Sequence, residues 1–200
     1  MSLTFLIRII LSVLFVLSIA VSSWAMEPME AIKQTTDKIL AIVTNPALKL
    51  PSQTVEREKL IRQAVDERFD WEEMARRSLA THWPKRTPEE RKEFVPLFSD
   101  LLERTYMKKV EDYSGEKVVY ERETKEGDYA TVKVKIVTKK NKDIAVEYRL
   151  KKEGNNWLIY DVSIMGVSLV NNYRTQFNSI ISQSSYENLV KRLREKVELK

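Results

Sequence analysis

After Gly115 the spacing of apolar residues changes from a helical period near 3.6 to a period of two, and the new period holds through four consecutive runs. Lys117 to Glu123, Asp128 to Lys139, Asp143 to Lys152 and Asn156 to Met165 read as strands, with turn residues at Glu126-Gly127, Lys140-Asn141-Lys142 and Glu153-Gly154-Asn155. Connections this short join only antiparallel neighbours, so the four strands are predicted to form a meander. On the second strand Ala130, Val132, Val134 and Ile136 share one face, and Thr131, Lys133, Lys135 and Lys139 share the other. The third strand repeats the pattern, with Ile144, Val146, Tyr148 and Leu150 opposed to Glu147, Arg149 and Lys151. One face of the sheet is therefore dry and the other wet. The fourth strand is apolar on both sides from Trp157 to Tyr160, which requires a helix over part of its outer face.

A dry face needs cover, and the remainder of the chain supplies it as helices. Met29, Ile32, Ile39, Leu40 and Val43 recur at helical steps between Pro28 and Thr44, and Asn45-Pro46 ends that helix. A short helix after Pro51 carries Leu60, Ile61, Ala64 and Val65. Asp70 with Glu73 predicts a capping box for a third helix striped by Trp71, Met74, Ala75 and Leu79. Thr87-Pro88-Glu89-Glu90 is the strongest local signal: Thr caps, Pro takes the first helical position and Glu90 returns the bond. The helix that starts there runs through Phe94, Leu97, Phe98, Leu101, Leu102, Tyr106, Val110 and Tyr113, with Pro96 expected to kink it. Two helices close the chain. Tyr173, Phe177, Ile180 and Ile181 stripe the first, and Ser184 with Glu187 predicts a capping box for the second. No repeat or low-complexity linker divides these elements, so the fold class is α+β: a single domain with a curved four-stranded antiparallel sheet packed against several helices.

Residues 1–25 stand apart from that fold. Arg8 is their only charge, Ile9 to Val21 are thirteen almost wholly apolar residues, and Ser22-Ser23-Trp24-Ala25 ends the segment in small ones. This is the pattern of a secretory signal cut after Ala25, leaving 26–200 as the mature domain. Thirteen helical residues span only about 20 Å, short of a hydrocarbon core of roughly 30 Å. Without cysteine there is neither a lipid-attachment site nor a disulfide, so a released mature chain is expected. Of the formal charge of +5, one unit belongs to Arg8. The rest is interleaved with acids as a solvated surface, which permits transient contact with anionic membranes, and nucleic acid is not an expected partner on the far side of a secretion signal.

Catalytic chemistry finds few candidates. His82 is the only histidine and sits beside Trp83-Pro84 at a helix end, a structural setting. No zinc set can be assembled from one histidine and no cysteine. Four glycines form no phosphate-cradling loop, and there is no nucleophile elbow. Tyr160 and Asp161 are the nearest acid-base pair, and a strand-end acid beside a half-buried aromatic is their plainer reading. The remaining feature is an excess of apolar face, which periodicity alone cannot divide between a filled core and a ligand cavity.

Several stretches together carry a family resemblance. They are Phe69-Asp70-Trp71-x-x-Met74, Trp83-x-x-x-Thr87-Pro88-Glu89-x-Arg91-x-x-Phe94-x-x-x-Phe98, Trp157-x-x-Tyr160-Asp161, and Gly166-Val167-Ser168-Leu169-Val170-x-x-Tyr173-Arg174-x-x-Phe177. In this order they resemble the MlaC, or toluene-tolerance, family of periplasmic phospholipid-binding proteins. Where family members carry a Gly-Asp pair before the last helix, this chain has Ser184-Ser185-Tyr186-Glu187. The resemblance implies a cone-like apolar cavity and a periplasmic carrier with bound phospholipid as cargo and no cofactor. Its implied partners are an inner-membrane ABC transporter bearing an MCE-domain subunit and an outer-membrane lipoprotein complex, between which it shuttles lipid to maintain outer-membrane asymmetry. Acyl tails are then expected between the dry sheet face (Val132, Val134, Ile136, Val146, Tyr148, Leu150) and the helix residues Phe94, Phe98, Leu101, Leu102 and Tyr106. Met165, Val167 and Leu169 are expected at the rim, Gly166 and Pro96 as hinges, and Val134→Trp as a block to lipid. Two other readings stay open: a small secreted enzyme with a cavity like that of ketosteroid-isomerase relatives, and a ligand-free periplasmic adaptor.

Overall fold

The computed structural model describes residues 26–138 and 143–198. The expected signal peptide and the turn Lys140-Asn141-Lys142 lie outside the described residues. The period-two segments form β1 (Lys117–Glu126), β2 (Tyr129–Val137), β3 (Ile144–Glu153) and β4 (Asn156–Ile164), each antiparallel to the next. The sheet has five strands rather than the expected four. β5 (Val167–Ser168) pairs with the end of β4 through Ser163 with Ser168 and Ile164 with Val167. Two residues are too few for an alternation to register in the sequence. Met165, expected to finish the fourth strand, instead turns the chain at φ +50°, followed by Gly166 at +81°.

Two bulges curve the sheet. Glu121 is the extra residue opposite β2, and Tyr160 is the extra residue opposite β3. In β4 the bulge inverts the alternation. Trp157 and Ile159 belong to the dry-face core before it, and Val162 and Ile164 belong to that core after it. Asp161 and Ser163 are thereby turned to the opposite face, where they are still buried.

The helices are α1 (Pro28–Thr44), α2 (Thr54–Asp66), α3 (Trp71–Leu79), α4 (Pro88–Glu111), α5 (Leu169–Gln183) and α6 (Tyr186–Glu198), with 3-10 turns at Pro51–Gln53 and Ala80–Lys85. The Thr87 box forms in full: Thr87 N–H donates to Glu90 at 2.7 Å and Glu90 N–H donates to Thr87 Oγ at 3.2 Å. The Asp70 box is half made. Asp70 accepts Glu73 N–H at 2.9 Å, but the Glu73 carboxylate turns to Arg76 at 2.6 Å and Arg77 at 2.7 Å. At α6 the cap is Ser185 rather than Ser184. Ser185 Oγ accepts Asn188 N–H at 3.2 Å, and the expected box with Glu187 is not the one that forms. α4 continues through Pro96 without interruption.

Two apolar cores result. One is wholly helical: Phe94 and Phe98 of α4 meet Tyr173 and Phe177 of α5 edge-on, at 5.5 to 5.7 Å between centroids. Met74, Leu79, Leu189 and Leu193 complete it. The other lies under the first turns of α1, where Ala31 and Ile32 pack with Ala130, Val132, Val134, Leu150 and Trp157. α3 and α5 cover the outer side of β4, as its two-sided apolar pattern required.

Candidate functional site

α1 joins the dry-face core with its first turns, through fully buried Ala31 and Ile32. Farther along, Ile39 and Leu40 are only half-buried, as are Val65 of α2, Val110 of α4 and Ile136 and Ile144 of the sheet. All of them border one hollow. It measures about 640 Å³ and lies between α1, α2, the second half of α4 and the dry face of the sheet. Phe69 and Trp71, which also pack against the helical core, line it together with Leu169, while Val118, Ile136, Val146, Tyr148, Ile159, Val162 and Ile164 are contributed by the strands.

Most polar groups lining the hollow away from the end of α4 are bonded within the protein or neutral. Thr35 and Thr36 donate their hydroxyls to Ala31 O at 3.1 Å and Ile32 O at 2.9 Å, within their own helix. Tyr148 is enclosed by protein yet not close-packed, because the hollow lies against it. Burial, and then the neighbouring Tyr120, push its phenol up to about 12, so it stays neutral. Arg62 donates to Asp100 at 2.8 Å, Ser99 at 2.9 Å and Asp66 at 3.2 Å, and also pairs with Glu103. Its charge is spent within the α2–α4 seam. The remaining charges on the wall are Lys109, Asp112 and Glu116, around the C-terminal end of α4. Such a space can hold an apolar body with one polar end, and it offers little to a buried ion.

The structure places the expected residues unevenly. Leu102, Tyr106, Ile136, Val146, Tyr148 and Leu169 line the hollow. Phe94, Phe98 and Leu101 do not, because α5 and α6 fill that side of α4 with their own aromatic and aliphatic side chains. Val132, Val134 and Leu150 point the expected way but pack in the dry-face core with Ala31 and Ile32. Met165 and Val167 stand at 62% and 57% exposure on the β4–β5 turn, outside the lining. Val134 packs in that core and does not line the hollow, so Val134→Trp would not fill it directly. Sequence reasoning missed the α1 and α2 wall. Ile39, Leu40, Val43, Ile61 and Val65 were legible as apolar stripes, but a stripe packed on a sheet and one that leans away from it have the same spacing.

Asp161 does not face the hollow. It accepts from Ser168 Oγ at 2.7 Å, Val170 N–H at 3.1 Å and Arg149 at 3.2 Å, and so ties the start of α5 to β4. His82 Nε2 lies 2.9 Å from Asn178 Oδ1, a bridge from the 3-10 turn to α5. Among the described residues no cluster of three His, Asp or Glu could hold a metal, and no helix is long and apolar enough to cross a membrane.

The family model for the MlaC protein matches residues 33–195 of the chain. The chain belongs to the MlaC family. The intermembrane phospholipid transport system binding protein MlaC of Haemophilus influenzae is 20% identical over 173 residues, which cover 84% of this chain and 81% of that protein. A phospholipid-binding protein from Ralstonia solanacearum, solved in complex with a phospholipid, superposes with a TM-score of 0.77 at 25% identity, covering 86% of this chain and 97% of the other. The stretches that carried the MlaC resemblance also have a structural role. Phe69, Trp71, Ile159 and Leu169, which fall within them, all line the hollow.

Proposed function

We propose that this chain is a periplasmic phospholipid carrier, delivered through an N-terminal signal peptide, that holds acyl tails in the hollow between α1, α2, α4 and the sheet. The observation that carries this reading is the hollow itself: about 640 Å³ walled mostly by apolar side chains, in a fold shared with a protein solved with a phospholipid bound. Each buried methylene is worth about 0.8 kcal/mol, so a lipid leaves a bilayer only for an interior of comparable dryness. The phosphate stays outside, because an unpaired buried charge would cost more than the tails return.

Such a pocket gives no direction to transport, since tails gain nothing by moving between equally apolar places. Direction then belongs to the partners: an inner-membrane ABC transporter bearing an MCE-domain subunit and an outer-membrane lipoprotein complex, between which the carrier would help maintain lipid asymmetry. In this reading phospholipid is cargo, not a cofactor, and no catalytic step is assigned to the chain. Solvent extraction and mass spectrometry of the purified protein test it. About one phospholipid per chain is expected from a pocket of this size class. Protein purified and re-exposed to vesicles without acquiring lipid would defeat the proposal and favour a ligand-free adaptor.

A further inference from the structure

The end of the hollow where α4 finishes has a charge arrangement that tail burial does not require. Tyr106, Lys109 and Val110 share the cavity side of α4, and Tyr113 follows just past its C-terminus. Two cations line the hollow. Arg62 is saturated by three carboxylates and a hydroxyl, whereas Lys109 enters none of the ion pairs among the described residues. Its ammonium lies 5.0 Å from the Tyr106 ring centroid, a cation–π contact that holds a four-carbon stem toward the hollow rather than free in solvent. Asp112 and Glu116 line the same end. Glu116 is fixed there by Ser114, whose N–H and hydroxyl donate to it at 2.8 and 2.7 Å.

We propose that Lys109 seats the phosphodiester of the bound lipid, and that Asp112 at the same end favours zwitterionic over anionic headgroups. The inference rests on the carrier reading above and extends it to headgroup selection. A phosphodiester needs a cation that is not already neutralised, and a lysine ammonium, compact and well hydrated, can meet it at the solvent edge without being desolvated. The Asp112 carboxylate at the same end disfavours a headgroup that carries only the phosphate. A headgroup that also bears an ammonium gives Asp112 a partner. The same chemistry would fit free phosphate, but an exposed single charge pair is too weak to hold it without the tails.

The test uses the full chain incubated with vesicles of equal parts phosphatidylethanolamine and phosphatidylglycerol, with bound lipid counted and typed by mass spectrometry. Wild type is expected to enrich phosphatidylethanolamine. Lys109→Glu should lower occupancy about fivefold, the scale of a part-exposed charge pair, and Lys109→Arg should restore most of it. Lys109→Gln, which adds no like charge to the rim, serves if the reversal unfolds the protein. Asp112→Asn should shift the bound mixture toward phosphatidylglycerol. Excess inorganic phosphate should not displace lipid, and displacement would overturn the headgroup assignment in favour of a free-phosphate site. Unchanged occupancy in Lys109→Glu, or an unchanged mixture in Asp112→Asn, overturns the proposal. If in that case the cavity-filling Ile136→Trp still loses lipid, the carrier reading survives, whereas a wild-type protein that takes up no lipid defeats both.

Discussion

The Glu123 carboxylate of β1 accepts the backbone N–H of Met29 at 2.6 Å, so a strand supplies the cap that α1 lacks in its own sequence. Glu27, at the N-cap position, makes no cap bond and pairs with Lys125 instead. The first turn of α1 is thereby fixed to the edge of the sheet, and the rest of the helix forms one wall of the hollow. Glu123→Ala should cost about 1–2 kcal/mol, combining a charge-assisted bond with a helix N-terminus left without its anion. Urea unfolding measures the loss, and amide exchange should quicken in α1 before the strands. Equal exchange throughout would show that Glu123 does not anchor the helix.

Substitutions on the two sides of the dry face should part company. Val134 is 3% exposed and packed in the core with α1, so Val134→Trp overpacks and should destabilise by about 1–3 kcal/mol. Ile136, two residues on and on the same face, borders the hollow. Ile136→Trp should leave the melting temperature close to that of wild type while cutting bound lipid several-fold. Lipid content equal in both variants would place the tails elsewhere.

The contrast between these two valine-and-isoleucine neighbours is also the limit of what the sequence disclosed. Alternation told correctly which way Val132, Val134, Ile136, Val146 and Tyr148 point, because side-chain period is a backbone property. It could not tell which of them meet α1 and which meet space, since that depends on where a helix diverges from a sheet. That Phe94 and Phe98 pack in the helical core was hidden for a related reason: their partners Tyr173 and Phe177 are some eighty residues distant in sequence. Thr87 and Glu90 formed their box because Arg86 takes only one oxygen of Glu90 and leaves the other for the cap, whereas Arg76 and Arg77 take both oxygens of Glu73. The bulge at Tyr160 leaves no mark in composition, yet it is what turns Asp161 away from the hollow.

Asp161 should prove a positioning residue for the wall. It is buried and holds Ser168, the Val170 N–H and Arg149 together, directly beside the cavity residue Leu169. Asp161→Ala leaves a helix N–H and a guanidinium short of an acceptor and should cost about 2–3 kcal/mol. Asp161→Asn keeps an oxygen for the Val170 N–H but puts an amide nitrogen where Oδ2 accepts from Ser168 and Arg149, so a smaller loss than that of the alanine variant is expected. Equal destabilisation by the two variants, read from denaturant midpoints, would mean that the Oδ2 contacts rather than the bond from Val170 carry the effect.

Tyr148 gives the fold an alkaline limit. Its phenol is pushed from an ordinary value of 10.0 up to about 12, chiefly by burial, so the folded protein keeps a proton that the unfolded chain gives up. Between those values the unfolded state binds fewer protons than the native one, and stability falls as pH rises. The contribution is intact below pH 10 and is lost as pH climbs toward 12. Tyr148→Phe removes the titrating group while keeping the ring against the hollow, so its Tm should decline less steeply over that interval. Bound tails would dry the wall further and delay the rise of tyrosinate absorbance in lipid-loaded protein relative to delipidated protein. Superimposable titrations of the two forms would mean that no tail reaches Tyr148.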